Sequence, residues 1–152
     1  MKNKKGFTVV ELLVVLVILG ILLTLAYMGI SGYLNNARNK TYEDFEQNII
    51  DGVTNYLIDH TGSIPNEGES LVVDVSKLIC DGYIDNLQDP REASKTCNLN
   101  SYAIVKRNNN TGFNMDIDYS ACLKCSGYES QACSNSIAGI ERLTKDASCE
   151  VR

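Results

Sequence analysis

Glu11 is the first residue whose surroundings suggest chemistry. It stands at the mouth of a run from Leu12 to Ile30 that carries no charge. A carboxylate that enters hydrocarbon costs on the order of a few kcal/mol, so an acid at this position implies a function and calls for a cationic partner. The second set is six cysteines, Cys80, Cys97, Cys122, Cys125, Cys133 and Cys149, all beyond that run. An even count in a loop-rich segment outside the cytoplasm favours disulfides, and six cysteines allow fifteen pairings among which spacing does not choose. Cys122-Leu-Lys-Cys125 has two other readings. Half of a zinc site would need a second C-x-x-C, which the chain lacks. A redox dithiol would need a helix N-terminus after a strand, which the pattern does not offer. Structural disulfides are therefore expected, with no metal site.

Other side chains narrow the chemistry further. His60 is the only histidine, so a His-dependent triad or a two-histidine metal site is out of reach of one chain. It falls where a helix is expected to end, and there it suits the helix dipole better than a ligand role. Asp81, Asp85 and Asp89 form one acidic cluster and Asp116 and Asp118 another. Calcium takes six to eight oxygen ligands, and no EF-hand spacing is present, so these read as solvated surface acids. Calcium remains the one cofactor left open; otherwise none is expected. No nucleotide-binding loop, nucleophile elbow or paired-carboxylate motif occurs, so the chain is expected not to be an enzyme.

Charge sets the partners. The chain has 14 Lys+Arg against 19 Asp+Glu, a net −5 over 152 residues. Lys2, Lys4 and Lys5 lie in the first six; without them the balance is 11 basic against 19 acidic, or −8. A net acidic surface repels phosphate, so nucleic-acid binding by bulk charge is not expected.

The elements that hold these residues follow from periodicity. At about 1.5 Å per residue the apolar run spans roughly 28 Å, close to the hydrocarbon thickness of a bilayer. It is longer than the apolar core of a signal peptide and lacks a small-residue cleavage site after it. It is apolar all round, which suits lipid better than a protein core. A single membrane anchor results, and the lysines before it place the N-terminus in the cytoplasm and the acidic remainder outside. From Leu34 the pattern turns amphipathic: Leu34, Ala37, Tyr42, Phe45, Ile49, Val53, Tyr56 and Leu57 recur near the helical period. His60-Thr-Gly62 and Pro65 end it. Beyond lies a loop-rich head. Leu71 to Val75 is a short strand or the start of a helix to Ile79. Ser101 to Lys106 is a strand, Asn108 to Gly112 a turn, and Phe113 to Tyr119 alternates, which makes a hairpin. From Ala121 onward an irregular, stapled tail is expected. The class is α+β: a long N-terminal helix packed on a small disulfide-stapled head with a short antiparallel sheet. The segments are 1–6, 7–33, 34–61 and 62–152.

The stretch Lys-Lys-Gly6-Phe7-Thr-Val-Val-Glu11-Leu-Leu-Val-Val-Leu-Val-Ile-Leu-Gly20-Ile-Leu resembles the N-terminus of type IV pilins and the related pseudopilins. The resemblance covers about the first thirty residues and their helical continuation. It implies that residues 1–6 are a leader, that a prepilin peptidase cuts between Gly6 and Phe7, that Phe7 is N-methylated, and that Glu11 is the acid needed for assembly. Cleavage would leave an α-ammonium on Phe7. Pairing it with Glu11 of a neighbour would neutralise both charges in an apolar core and fix an axial register. The implied product is a homo-oligomeric helical filament drawn from the membrane by assembly machinery, either a type IV pilus or a pseudopilus of type II secretion or DNA uptake. Such a protein passes from the membrane to an envelope or surface filament. The alternative of another class is a single-pass membrane protein with a redox or metal-binding head. Many pilins carry a proline in the apolar run; here there is none, and Gly20, Gly29 and Gly32 are the weak points of the helix. The stretch Cys80 to Pro90 also resembles a loop of major pseudopilins, some of which bind calcium.

Overall fold

The computed structural model describes residues 7–97, 100–109 and 116–150, with the backbone only at Met28 and Gly29. The leader 1–6, most of the expected turn 108–112 and the start of the expected strand at Phe113 lie outside the described residues. The chain divides into two compact units, Met1–Asn39 and Lys40–Arg152.

One helix, α1 (Val9–Asp59), runs through the first unit and into the second. Thr8 caps its start: its carbonyl accepts the Leu12 N–H at 3.2 Å and its hydroxyl oxygen accepts the Glu11 N–H at 3.3 Å. The apolar run stays helical through Gly20 and Gly32, and the Thr24 hydroxyl is satisfied by the Ile21 carbonyl at 2.7 Å. A hydroxyl bonded back to its own helix is compatible with hydrocarbon. The helix stops at Asp59, followed by a 3-10 turn at Thr61–Ser63. His60 sits over this end, with Nδ1 3.0 Å from the Tyr56 carbonyl and its ring stacked on Tyr56.

In the second unit a four-stranded sheet has the order β3-β2-β1-β6. Its members are β1 (Ser70–Asp74), β2 (Tyr102–Arg107), β3 (Ile117–Cys122) and β6 (Glu141–Leu143), with α2 (Val75–Cys80) between β1 and β2 and a two-stranded ladder of β4 (Lys124–Cys125) and β5 (Tyr128–Glu129) after β3. β1–β2 and β2–β3 are antiparallel, while β6 pairs parallel to β1, with Val72 opposite Arg142. The expected antiparallel hairpin is therefore present, and the tail adds a parallel edge strand that was not anticipated.

Alternation sorts the sheet into two faces. Leu71, Val73, Ala103, Val105 and Ala121 share a core with Tyr42, Ile49, Val53, Tyr56 and Leu57 of α1. Val72, Tyr102, Ile104 and Cys122 face the other way, against Cys133, Ile137 and Ile140. Because both faces are covered, β1 is buried at three successive residues and reads as a continuous apolar run. That explains its double reading: Leu71 to Asp74 is strand, and the helix starts at Val75. The buried stripe of α1 begins at Tyr42; Leu34 and Ala37, expected to join it, are exposed.

Three disulfides close the head, Cys80–Cys149, Cys97–Cys125 and Cys122–Cys133. Ser101 ties two of the bridged segments together, with its hydroxyl donating to the Cys97 carbonyl and accepting the Lys124 N–H at 2.9 Å.

Candidate functional site

The sequence places its most specific signals at the start of α1, and the structure gives that end a defined local geometry. With Thr8 as the cap, Val9 and Val10 are the first two helical residues and Glu11 the third. Thr8-Val-Val-Glu11 is thus a capping-box sequence, in which the residue at the third position reaches back toward the cap. The Glu11 carboxylate does so, accepting from the Thr8 hydroxyl at 3.5 Å. As the third helical residue it also belongs to the first turn, the positive end of the helix dipole. Glu11 therefore has local compensation within its own chain. Thr8 was not singled out from the sequence, although the S/T-x-x-E spacing just before an apolar run was its signal. Phe7 precedes the helix and is exposed; Gly6 lies outside the described residues.

Beyond Glu11 the helix offers solvent an unbroken apolar surface. Every large hydrophobic residue described from Leu12 to Tyr27 is exposed, none less than 45%. A soluble protein does not leave such a surface unpartnered. It suits lipid or the same segment of another subunit.

The cysteines make no comparable site. Cys122 and Cys125 are bonded to different partners, Cys133 and Cys97, so the C-x-x-C is a branch point of two staples and not a dithiol pair. Among the described residues no group of three or more His, Cys, Asp or Glu side chains is placed to hold a metal ion.

The acidic clusters divide on inspection. Asp85 is exposed, Asp81 pairs with Lys77 at 3.0 Å, and Asp116 and Asp118 both accept from the Asn108 amide. Asp89 departs from the expectation of a solvated acid: it is only 1% exposed. One oxygen accepts the Tyr42 hydroxyl and the Arg91 N–H, and the other accepts the Ser126 N–H, each at 2.8 Å. Burial pushes its carboxyl up, but the backbone N–H of Arg91, the Tyr42 hydroxyl and the N–H groups of Ser126 and Glu92 outweigh that and hold it below the ordinary carboxylate value. The Asp89-Pro90 pair signals a turn, but nothing local in the sequence marks the carboxylate as buried.

Around Asp89 an aromatic cluster locks α1 to the head. Tyr42 stacks on Tyr128 with ring centres 4.1 Å apart, and the Arg91 guanidinium lies 5.7 Å from the Tyr42 ring centre. The Tyr128 hydroxyl donates to Glu46 at 2.7 Å. Burial and that carboxylate push the Tyr128 phenol up to about 12.

Comparison with known proteins agrees with the geometry of the N-terminal segment. Residues 1–27 match the prokaryotic N-terminal methylation motif. A ComG operon protein 3 homolog from Bacillus licheniformis is 33% identical over 89 residues, 58% of this chain and 84% of that protein. Competence protein ComGC of Bacillus subtilis is 33% identical over 82 residues, 54% of this chain and 76% of that protein. No solved structure matches the chain.

Proposed function

This chain belongs to the family of ComG operon protein 3 and ComGC, a pilin-like family, and from that premise we propose that it is a structural subunit of a competence pseudopilus. In this reading the precursor sits in the membrane with its N-terminus in the cytoplasm and its head outside. A prepilin peptidase removes residues 1–6, cutting after Gly6, and Phe7 is N-methylated. The subunit then leaves the bilayer and joins a helical filament of its own kind. The observation that carries the proposal is the exposed apolar helix headed by Thr8 and Glu11. Packed against copies of itself, that surface leaves both lipid and water. The contact is head-to-tail, so it does not close on itself and propagates as a filament.

Glu11 supplies the register. In an apolar filament core its carboxylate is costly alone, and the α-ammonium of a neighbouring Phe7 is equally so. One stagger brings them together. The local bond to Thr8 is long, 3.5 Å, so the exchange to an intermolecular partner gives up little. The role is structural; chemistry is done to the subunit by the peptidase and methylase.

The relatives' names favour a competence machine of the DNA-uptake kind over a surface pilus or a type II secretion pseudopilus. This does not require the head itself to bind DNA, and its acidic balance argues against binding by bulk charge. A redox or metal-binding head is disfavoured because Cys122 and Cys125 belong to separate disulfides.

Mass spectrometry of the N-terminal peptide from the native host tests processing. A peptide beginning at Phe7 and one methyl heavier than the sequence supports the proposal; one still beginning at Met1 with the peptidase present sinks it. Glu11→Leu tests assembly: cleavage should persist while filaments disappear, and filaments at wild-type abundance would remove Glu11 from the account.

A further inference from the structure

The bilayer can be placed on α1 in two ways, and they differ by about 6 Å. Centring the hydrocarbon on the uncharged run Leu12–Ile30 puts its midplane at Ile21. Glu11 then lies at the inner boundary, and Tyr27, six residues beyond Ile21, lies about 9 Å from the centre and 6 Å inside a core about 30 Å thick. Alternatively the core ends at Tyr27. Its midplane then falls at Val17, and it is the Glu11 backbone that lies about 6 Å beneath the inner boundary.

Side-chain direction decides between them. In an α-helix every Cα–Cβ bond tilts toward the N-terminus. Glu11 sits at the N-terminal end of the span, so its carboxylate leans back toward the headgroups and can reach them from below the boundary. It also has the Thr8 hydroxyl beside it and stands in the first turn, at the positive end of the helix dipole. Tyr27 sits at the opposite end, and the same tilt drives its hydroxyl inward, deeper into hydrocarbon than its own backbone. Its ring is 76% exposed, so the hydroxyl faces whatever surrounds the helix. A boundary at Tyr27 keeps that hydroxyl at the edge of the polar layer, the level that tyrosines favour, whereas a boundary about 6 Å further out buries it in hydrocarbon.

Tyr33 fits this frame through the same tilt. It is 75% exposed, six residues on and about 9 Å further along the axis, so its backbone lies just beyond a headgroup layer about 5–8 Å thick and its ring leans back into that layer. Six residues also turn the helix so that the two rings point about 120° apart. A single protein partner would want them on one face; a headgroup layer encircles the helix and receives both.

We infer that Tyr27 and Tyr33 bracket the lipid headgroup layer on the side of the membrane away from the N-terminus, and that this anchor draws the Glu11 backbone into the hydrocarbon of the opposite leaflet. The inference rests on the reading of this segment as a membrane span. It deepens the proposed function by naming the lipid surface that holds the subunit before assembly, with its assembly acid already held away from bulk water.

The chain contains no tryptophan, so one introduced tryptophan reports alone. The full chain is reconstituted in phosphatidylcholine–phosphatidylglycerol vesicles as Val17→Trp, Ile21→Trp and Tyr27→Trp. Quenching is compared between lipids with a nitroxide near the carboxyl end and near the middle of the acyl chain. The anchor predicts that Val17→Trp is the deepest, Ile21→Trp shallower, and Tyr27→Trp quenched at least twofold better by the shallow nitroxide. Adding Tyr27→Leu should let the helix slide, making position 21 the deepest. Deepest quenching at position 21 with Tyr27 intact overturns the inference while leaving the membrane span standing. No quenching at any of the three positions overturns the span and the inference together. An unchanged depth profile on Tyr27→Leu removes Tyr27 as the anchor.

Discussion

Replacing Asp89 tests the claim that one buried carboxylate fastens α1 to the head. Three donors converge on it, the Tyr42 hydroxyl and the N–H groups of Arg91 and Ser126, all at 2.8 Å. Asp89→Ala leaves them without their acceptor. A buried unsatisfied donor costs about 1–3 kcal/mol; the Tyr42 bond is buried and the two N–H bonds only partly so, and the loss should be about 2–4 kcal/mol. Asp89→Asn keeps one oxygen and turns the other into a donor. It should lose the Ser126 bond or one of the other two, at about 1–3 kcal/mol. The assay is urea unfolding of the full chain in detergent with disulfides intact, followed by near-ultraviolet circular dichroism of the tyrosines. The pH dependence has a definite sign. The folded carboxyl lies below its ordinary value, so its stabilisation is present above the unfolded value of about 3.9 and is lost as pH falls through the folded value. The gap between wild type and Asp89→Asn should therefore narrow below about pH 4. An Asp89→Asn chain as stable as wild type at pH 7, or an Asp89→Ala loss under about 1 kcal/mol, would refute the reasoning.

Three further outcomes are expected. Thr8→Val removes the cap hydroxyl and should loosen the first turn of α1 by about 1 kcal/mol, read as faster amide exchange at Val10 and Glu11 in micelles, with Thr8→Ser restoring protection. Gly52 packs so closely on Ile84 that a Cβ would collide with that side chain, so Gly52→Ala should cost about 1–3 kcal/mol in urea unfolding, against little change for Gly62→Ala, which meets open space. The Tyr128 phenol is raised to about 12, so its neutral form stabilises the fold fully below the unfolded value of about 10, and that contribution is lost as pH rises through about 12; Tyr128→Phe should remove one phenolate that titrates near 12 from an absorbance titration.

The sequence disclosed most where one physical requirement repeats along many residues. A span of hydrocarbon needs an uninterrupted apolar run, and Leu12–Ile30 shows one. Packing on a head needs a stripe, and Tyr42, Ile49, Val53 and Tyr56 supply it at the helical period. The strand at 102–107 was visible as a short apolar run, Tyr102-Ala-Ile-Val105, and its partner through the alternation of Phe113 to Tyr119. What escaped depends on contacts far apart in the chain. Asp89 looks like its exposed neighbour Asp85, and only the arrival of Tyr42 and Ser126, 47 and 37 residues distant, makes it a buried hub. Glu141-Arg-Leu143 has no strand pattern; it is a strand because β1 offers it an edge and Asp74 offers Arg142 a partner at 2.7 Å. The disulfide pairing was one of fifteen possibilities until the fold brought the sulfurs together. Thr8 is a different case: its capping signal is local, an S/T-x-x-E spacing just before an apolar run.

The three disulfides stand unequally to the head, and their order of reduction follows. Their sequence separations are 69 for Cys80–Cys149, 28 for Cys97–Cys125 and 11 for Cys122–Cys133. On loop-closure entropy these correspond to about 4.4, 3.6 and 2.8 kcal/mol against the unfolded chain. Access runs the same way. Both Cys80 and Cys149 are partly exposed, whereas Cys97 and Cys122 are fully buried within the other two bridges. The bridge that restricts the unfolded chain most is thus the one a reductant reaches first. Opening it leaves the tail held by the three-residue ladder of β6 on β1, the packing of Ile137, Ile140 and Leu143, and the Arg142–Asp74 pair. That pair is partly exposed and adds at most about 1 kcal/mol. Release of β6 would bare the β1 edge, whose unpaired N–H and C=O groups invite pairing with another chain. Limited reduction followed by alkylation and peptide mass spectrometry should label Cys80 and Cys149 before the other four, and the singly reduced head should self-associate while keeping its tyrosine dichroism. Labelling of Cys122 or Cys97 first would refute the order of access, and a monodisperse head after Cys80–Cys149 is opened would show that β6 stays docked without its staple.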